Sequence, residues 1–166
     1  MKYSRATARS RRSPTSRELK TWRNFIETTE DLRSTLASRL QSESGLSSGD
    51  YAVLLALSDA TDRTLRSSDL AAAIGWERSR LSHHLGRMER RGLILRKESQ
   101  VQRGGAEIAF TPAGEDAFRA ATAPHLHAIR ELFVDALTPE QLTAADEIAD
   151  ALRARLNDVA KGRGAT

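Results

Sequence analysis

The stretch from Trp76 to Gly92 holds the side chains best suited to bind a polyanion. Leu81, Leu85 and Met88 recur in it at i, i+4 and i+7, which is the spacing of a helix that buries one apolar face. At about 100° per residue, the rest of this helix carries serine, histidine and arginine, namely Ser79, Arg80, Ser82, His83, His84, Arg87 and Arg90. Such side chains bind base edges and phosphates, so the stretch predicts a helix that reads nucleic acid.

The charge of the chain is divided into alternating blocks. The chain has a net charge of +4. Residues 63–103 include ten basic and four acidic residues, and residues 1–20 include seven basic residues and one acidic residue. Acidic residues exceed basic ones by four in each of the segments 21–62 and 104–166. A positive centre between acidic flanks indicates one face built for a polyanion and a remainder that keeps the chain soluble.

Three helices are predicted before the basic stretch. Apolar residues recur near helical spacing over 18–44 and predict one long helix. Ser47 to Asp50 has the Ser-x-x-Asp form of a capping box, which begins a second helix. A short third helix opens at Ser67 and ends at Gly75. The first 17 residues are basic and have no apolar periodicity, so we expect a disordered arm there.

A β-hairpin is predicted directly after the basic helix. Two short β-prone runs, 93–97 and 106–110, flank a turn that contains Gly104-Gly105 and places Arg103 at its tip. A short helix, a turn, a polar-faced helix and a hairpin are the order of a winged helix-turn-helix, which we place at about 46–111. An arginine at the tip of a wing can enter the minor groove, where the potential is most negative.

Long helices at both ends of the chain are expected to form a dimer. Helical periodicity returns over 112–160, where Pro124 should bend or interrupt the helix and Thr138 to Gln141 forms a second cap. The terminal helices carry apolar stripes too extensive for one small winged unit to cover, so we expect a symmetric homodimer. The expected fold class is therefore mostly α with a small β-hairpin wing, and we expect residues 18–166 to form a single domain.

Several segments together resemble the MarR family of winged helix-turn-helix regulators. The resemblance covers about residues 18–158, and its most specific part is SRLSHHLGRMERRGLI, which is similar to an actinobacterial subgroup. The other matching segments are Leu46 to Tyr51 with Val53-Leu54, Ser68 to Ala71, Thr111 to Gly114, and Leu137 to Leu142.

This resemblance implies a homodimer that binds an inverted-repeat operator in double-stranded DNA, and a small, often phenolic or anionic, effector that releases it. Trp22 and Phe25 are most simply dimer core, with a wall of the effector pocket as a second interpretation. The family wing usually carries Asp-x-Arg-Gly, whereas Val101-Gln102-Arg103-Gly104 lacks the aspartate. Contact by Arg103 is therefore less secure than contact by the helix.

Other functional classes have little support in the sequence. The chain has no cysteine, and it contains no Gly-rich phosphate loop, Gly-x-Ser-x-Gly or His-Glu-x-x-His motif, so we expect neither an enzyme nor a cofactor. His83 and His84 point about 100° apart on a helix, which argues against a metal site. No apolar run reaches the roughly 20 residues of a membrane span, and we expect a cytoplasmic protein.

Two alternatives to a transcriptional regulator stay open. A sequence-tolerant architectural protein could use the winged fold and the arm without any effector, and it would bind operator and random DNA alike. An interaction module that has lost DNA binding would not be retained on DNA even at low salt.

Overall fold

The computed structural model describes residues 13–97 and 106–163, which form helices and one small sheet. In chain order these are α1 (Ser16–Ser44), α2 (Ser48–Asp59), β1 (Thr64–Arg66), α3 (Ser67–Ile74), α4 (Arg78–Arg90), β2 (Ile94–Lys97), β3 (Glu107–Phe110), α5 (Pro112–Ile129), a π-helical segment (Arg130–Val134) and α6 (Pro139–Arg163). Most of the expected arm and the tip of the hairpin, including Arg103, lie outside the described residues. The predicted disorder of the arm therefore stays a prediction.

The described residues fall into two compact units, which divide between Thr35 and Leu36. In the first unit, α1 begins with reciprocal hydrogen bonds between Thr15 and Glu18, a capping pattern that starts the helix two residues before the predicted boundary. Leu19, Trp22, Phe25 and Ile26 make an exposed apolar stripe along this part of α1.

The second unit has its core where α2, α3, α4 and the sheet meet. Leu81, Leu85 and Met88 of α4 are almost fully buried, as their spacing predicts. They belong to one hydrophobic cluster with Leu54 of α2 and Ile108 of β3. Burial of one apolar face of α4 fixes which of its residues can face outward.

The sheet has three antiparallel strands in the order β1-β3-β2. Ile94 pairs with Phe110 and Lys97 with Glu107, so β2 and β3 form the predicted hairpin. The third strand, β1, was not predicted from the sequence. It is only three residues long and pairs with β3 through Leu65 and Ile108.

A close backbone approach joins the hairpin to α5. Thr111 accepts a hydrogen bond from the Gly114 amide and donates one to the Gly92 carbonyl. A Cβ atom at Gly114 would lie 1.8 Å from the Leu93 carbonyl oxygen, so only glycine fits this position.

The C-terminal helices depart from the sequence-based prediction at one point. Helix α5 continues through Pro124 without ending, so of the two expectations, a bend or an interruption, the interruption is wrong. The irregular segment begins later, at Arg130. The predicted cap of α6 is present, since Thr138 and Gln141 exchange hydrogen bonds. Ile148, Leu152, Leu156 and Val159 give α6 an exposed apolar stripe. None of the described helices is long and apolar enough to cross a membrane.

Candidate nucleic-acid interface

A tight turn between α3 and α4 sets the orientation of the polar helix. Gly75 ends α3 in the left-handed conformation with φ +66°, and the Trp76 amide donates to the Ala71 carbonyl in the pattern of a Schellman motif. Trp76 and Glu77 then lead directly into Arg78, the first residue of α4. This short connection is the turn of a helix-turn-helix.

The outward face of α4 carries most of the side chains that the sequence singled out. Of the residues singled out, six are exposed: Ser79, Arg80, Ser82, His83, Arg87 and Arg90. Three of these are arginines, and no acidic residue lies in the first turn of the helix. The face therefore combines positive charge with the short hydrogen-bonding side chains that suit base edges and phosphates.

The structure places His84 differently from the sequence-based prediction, which grouped it with the DNA-contacting residues. His84 is only 7% exposed and faces α2 rather than solvent. A Cβ atom at Gly49 would lie 2.8 Å from His84 Cε1 and 2.8 Å from Trp76 Cη2. Because Gly49 has no side chain, α2 approaches α4 closely, and α4 buries more than its leucine stripe.

Asp50 lies at the centre of a buried polar cluster that sequence reasoning treated only as a helix cap. Its carboxylate accepts a hydrogen bond from the Ser47 amide, and the Asp50 amide donates to the Ser47 hydroxyl, which confirms the capping box. Arg91 donates to Asp50 Oδ2 at 2.6 Å and to the Gly45 carbonyl oxygen at 2.9 Å. The exposed Arg91 guanidinium therefore has two partners within the protein, a carboxylate and a carbonyl oxygen.

Opposing effects act on the pKa of Asp50. Burial by itself would raise the pKa, but His84, Arg91 and Ser47 all stabilise the charged carboxylate. Their combined effect holds the pKa of Asp50 well below its usual range. Asp50 therefore stays ionised as the buried anion that ties α2 to α4.

His84 and Arg87 extend this cluster toward the outward face. His84 Nε2 lies 3.1 Å from Asp50 Oδ1, a close polar contact whose geometry falls short of a hydrogen bond. Arg87 Nη2 lies 2.8 Å from His84 Nδ1. An open groove of about 430 Å³ borders these side chains and is lined also by Gln41 and Ser47, so solvent reaches Arg87.

Trp76 supports a second arginine of the same face. The Arg80 guanidinium carbon lies 4.2 Å from the centroid of a Trp76 ring, which is a cation–π contact. His84 also contacts Trp76, and the two rings meet edge-on with their centroids 5.2 Å apart. Arg80 and Arg87 are therefore each held by an aromatic ring that packs over Gly49.

The base of the wing is fixed to α4 by Arg96. Its Nη2 donates to the Ser82 carbonyl oxygen at 2.7 Å. Both strands of the wing are present as predicted, but the contact proposed for Arg103 lies outside the described residues.

Trp22 and Phe25 are exposed on α1, and their place in a dimer core or an effector pocket stays a prediction. Among residues 13–97 and 106–163, no cluster of three or more potential metal ligands occurs.

Solved structures of similar fold identify the family. No protein-family model matches the chain, and no curated protein does either. AbsC, a MarR family transcriptional regulator from Streptomyces coelicolor, is 33% identical to this chain. The match covers 89% of this chain and 99% of AbsC, with a TM-score of 0.82. The chain belongs to the MarR family of transcriptional regulators.

Two further solved structures of transcriptional regulators are similar to this chain. Sco3205 from Streptomyces coelicolor, solved in complex with DNA, is 31% identical over 86% of this chain and 90% of its own, with a TM-score of 0.81. The organohalide-sensing regulator RdhR-CbdbA1625, solved with 2,4-dichlorophenol, is 20% identical over 87% of this chain and 86% of its own, with a TM-score of 0.71. The second similarity establishes a shared fold only. The predicted winged helix architecture is confirmed, and all three of these proteins are transcriptional regulators.

Proposed function

We propose that this chain is a sequence-specific DNA-binding regulator whose α4 lies in the major groove of an inverted-repeat operator. The observation that carries the proposal is the outward face of α4, where Arg80 and Arg87 are exposed yet held by Trp76 and His84. Preorganised cations lose less conformational entropy on docking, which favours specific contacts. The DNA complex of Sco3205, a relative of the same family, supports this assignment.

The proposed contacts divide into two groups by position. Ser79, Arg80, Ser82, His83 and Arg87 supply base-edge and adjacent phosphate contacts, while Arg90, near the end of α4, contacts phosphate. Arg103 on the wing would contact the minor groove, without the aspartate that usually fixes this arginine in the family. Phosphate contacts position the protein, and base-edge contacts distinguish one sequence from another.

A homodimer is part of the same proposal. The exposed apolar stripes of α1 and α6 are the kind of surface that proteins normally bury in an interface. A two-fold dimer would present two copies of α4 to half-sites about one DNA turn apart. Sedimentation at micromolar concentration tests this point, because a monomer there would contradict it.

Release from DNA by a small aromatic or anionic effector completes the proposed function. The regulator RdhR-CbdbA1625, which has the same fold, was solved with 2,4-dichlorophenol bound. This structure supports the proposal that the fold can bind such ligands. Release would follow if the effector prefers a dimer whose half-site spacing does not fit the operator. Linkage then requires operator DNA to weaken effector binding by the same factor. Titration of aromatic acids with and without operator measures this factor, and equal affinities in both titrations would contradict the release mechanism.

Substitution of Arg80 tests the DNA-reading face. We expect Arg80→Ala to weaken binding to an operator selected from random duplexes by about 1 to 3 kcal/mol, if Arg80 reads a guanine. Arg119→Ala is the matched control, since Arg119 is an exposed, ion-paired arginine on α5. If Arg80→Ala and His83→Ala both left the operator preference unchanged in footprinting, this assignment of α4 would be wrong.

A further inference from the structure

His84 links a buried anion to an exposed arginine. The described contacts of its imidazole are Arg87 Nη2 at Nδ1, Asp50 Oδ1 at Nε2, and the edge of Trp76. Arginine has only donors, so Nδ1 must accept the hydrogen bond from Arg87. The proton of a neutral imidazole is then on Nε2, which faces the Asp50 carboxylate.

The imidazole is held firmly in this orientation. Its ring is buried between Trp76 and the first turn of α2, where Gly49 leaves room for it. Asp50 is 2% exposed and is itself fixed by Ser47 and Arg91. Of the three described contacts of His84, Asp50 is buried, Trp76 is partly buried and Arg87 is exposed.

Arg87, in contrast, is exposed on the face that the proposed function assigns to DNA. A free arginine would sample many rotamers there and would lose them on binding. The hydrogen bond to His84 restrains the guanidinium before DNA arrives, and its remaining N–H groups stay available for a phosphate or a guanine.

We propose that His84 is a positioning residue, which touches no DNA but holds Arg87 in its DNA-binding orientation by relaying the position of Asp50. This inference rests on the proposed function, because it requires that Arg87 contacts DNA. It also gives the buried Asp50 a role beyond capping α2. Any shift of the first turn of α2 against α4 would move Arg87 through His84.

A double-mutant cycle separates positioning from a general structural role. His84→Phe keeps an aromatic ring beside Trp76 but removes the acceptor for Arg87. His84→Asn retains an amide oxygen that can accept from Arg87 near the place of Nδ1. Each is combined with Arg87→Ala, and affinities for a selected operator are measured at one salt concentration, with thermal unfolding monitored in parallel.

We expect His84→Phe to weaken operator binding by about three- to tenfold, the range for losing the restraint on one long side chain. In the Arg87→Ala background the same change should have almost no further effect, because the two residues act as one unit. His84→Asn should recover most of the lost affinity. An equal loss from His84→Phe with and without Arg87 would overturn the inference.

The outcome for Arg87→Ala alone distinguishes the two proposals. If Arg87→Ala leaves operator affinity unchanged while Arg80→Ala lowers it, the positioning role of His84 is refuted and the proposed function stands. If neither change affects operator preference, the DNA-reading role of α4 fails as well.

A spectroscopic test on the unsubstituted chain does not depend on the folding of His84 variants. Nitrogen-15 NMR of the imidazole should show an unprotonated, hydrogen-bonded Nδ1 and a protonated Nε2. Arg87→Ala should shift the Nδ1 resonance toward that of a free acceptor. A proton on Nδ1 of the neutral ring would overturn the inference.

Discussion

Replacement of Asp50 by asparagine tests the buried cluster that joins α2 to α4. Asparagine keeps the shape of the side chain but removes the charge that His84 and Arg91 face. Loss of a buried, charge-assisted partner typically costs a few kcal/mol, so we expect Asp50→Asn to lower the free energy of unfolding by about 2 to 4 kcal/mol at pH 7.

The loss of stability caused by Asp50→Asn should become smaller at acidic pH. Because the pKa of Asp50 is lower in the folded state, its stabilising contribution is complete above the unfolded value of about 3.9. That contribution disappears as the pH falls through the folded value. The difference between wild type and Asp50→Asn should therefore be constant near neutrality and shrink below about pH 4.

Urea unfolding at neutral and acidic pH measures both effects. Asp116→Asn is the matched control, because Asp116 is an exposed carboxylate paired with Arg119. An exposed pair of this kind is worth at most about 1 kcal/mol. A stabilising role for the Asp50 charge is refuted if Asp50→Asn costs no more than Asp116→Asn, or if the difference from wild type grows on acidification.

Three further changes probe other parts of the structure. Trp76→Leu should lower operator affinity by several-fold through loss of the cation–π contact to Arg80, and Trp76→Phe should lose less; equal affinities for the two variants in fluorescence anisotropy would contradict this. Gly114→Ala should lower the free energy of unfolding in urea by about 3 kcal/mol or more. Gly86→Ala should instead raise it by about 0.5 to 1 kcal/mol, because the space around its Cβ position is open. Similar effects at both glycines would exclude the close backbone approach. Deleting residues 1–16 should weaken binding to all DNA and make its salt dependence shallower, with the operator preference retained; an unchanged slope of affinity against salt would show that the arm contacts no phosphates.

Much of the fold follows from local sequence patterns. The spacing of Leu81, Leu85 and Met88 predicted the buried face of α4, and all three are buried. The Ser47 to Asp50 and Thr138 to Gln141 patterns predicted helix starts that the hydrogen bonds confirm. These features depend on residues within one or two turns of each other, so the sequence determines them directly.

Features that depend on distant residues were missed or misplaced. His84 is placed beside the DNA-facing residues by helical spacing, but its burial depends on Gly49, which lies in another helix. Strand β1 is too short to show a pattern and exists because β3 offers it a free edge. The two hydrogen bonds donated by Arg91 likewise depend on Asp50 and Gly45, which lie more than 40 residues away in the chain.

The candidate site shows the same division. Helical periodicity correctly predicted which arginines and serines of α4 face outward. It could not predict that Trp76 and His84 restrain two of those arginines, because their placement follows from the packing of α2 against α4. The sequence signal for this packing was Gly49 in the first turn of α2, a position where an isolated helix would accept a side chain.

Sequence-specific reading by α4 is tested most directly by two affinities measured at the same salt concentration, one for a selected operator and one for random duplex DNA. A sequence-specific regulator should bind the operator at least about a thousandfold more tightly near physiological salt, and Arg80→Ala should reduce this ratio. A ratio near one, with strong binding to both duplexes, would contradict sequence-specific reading by α4 and favour an architectural protein.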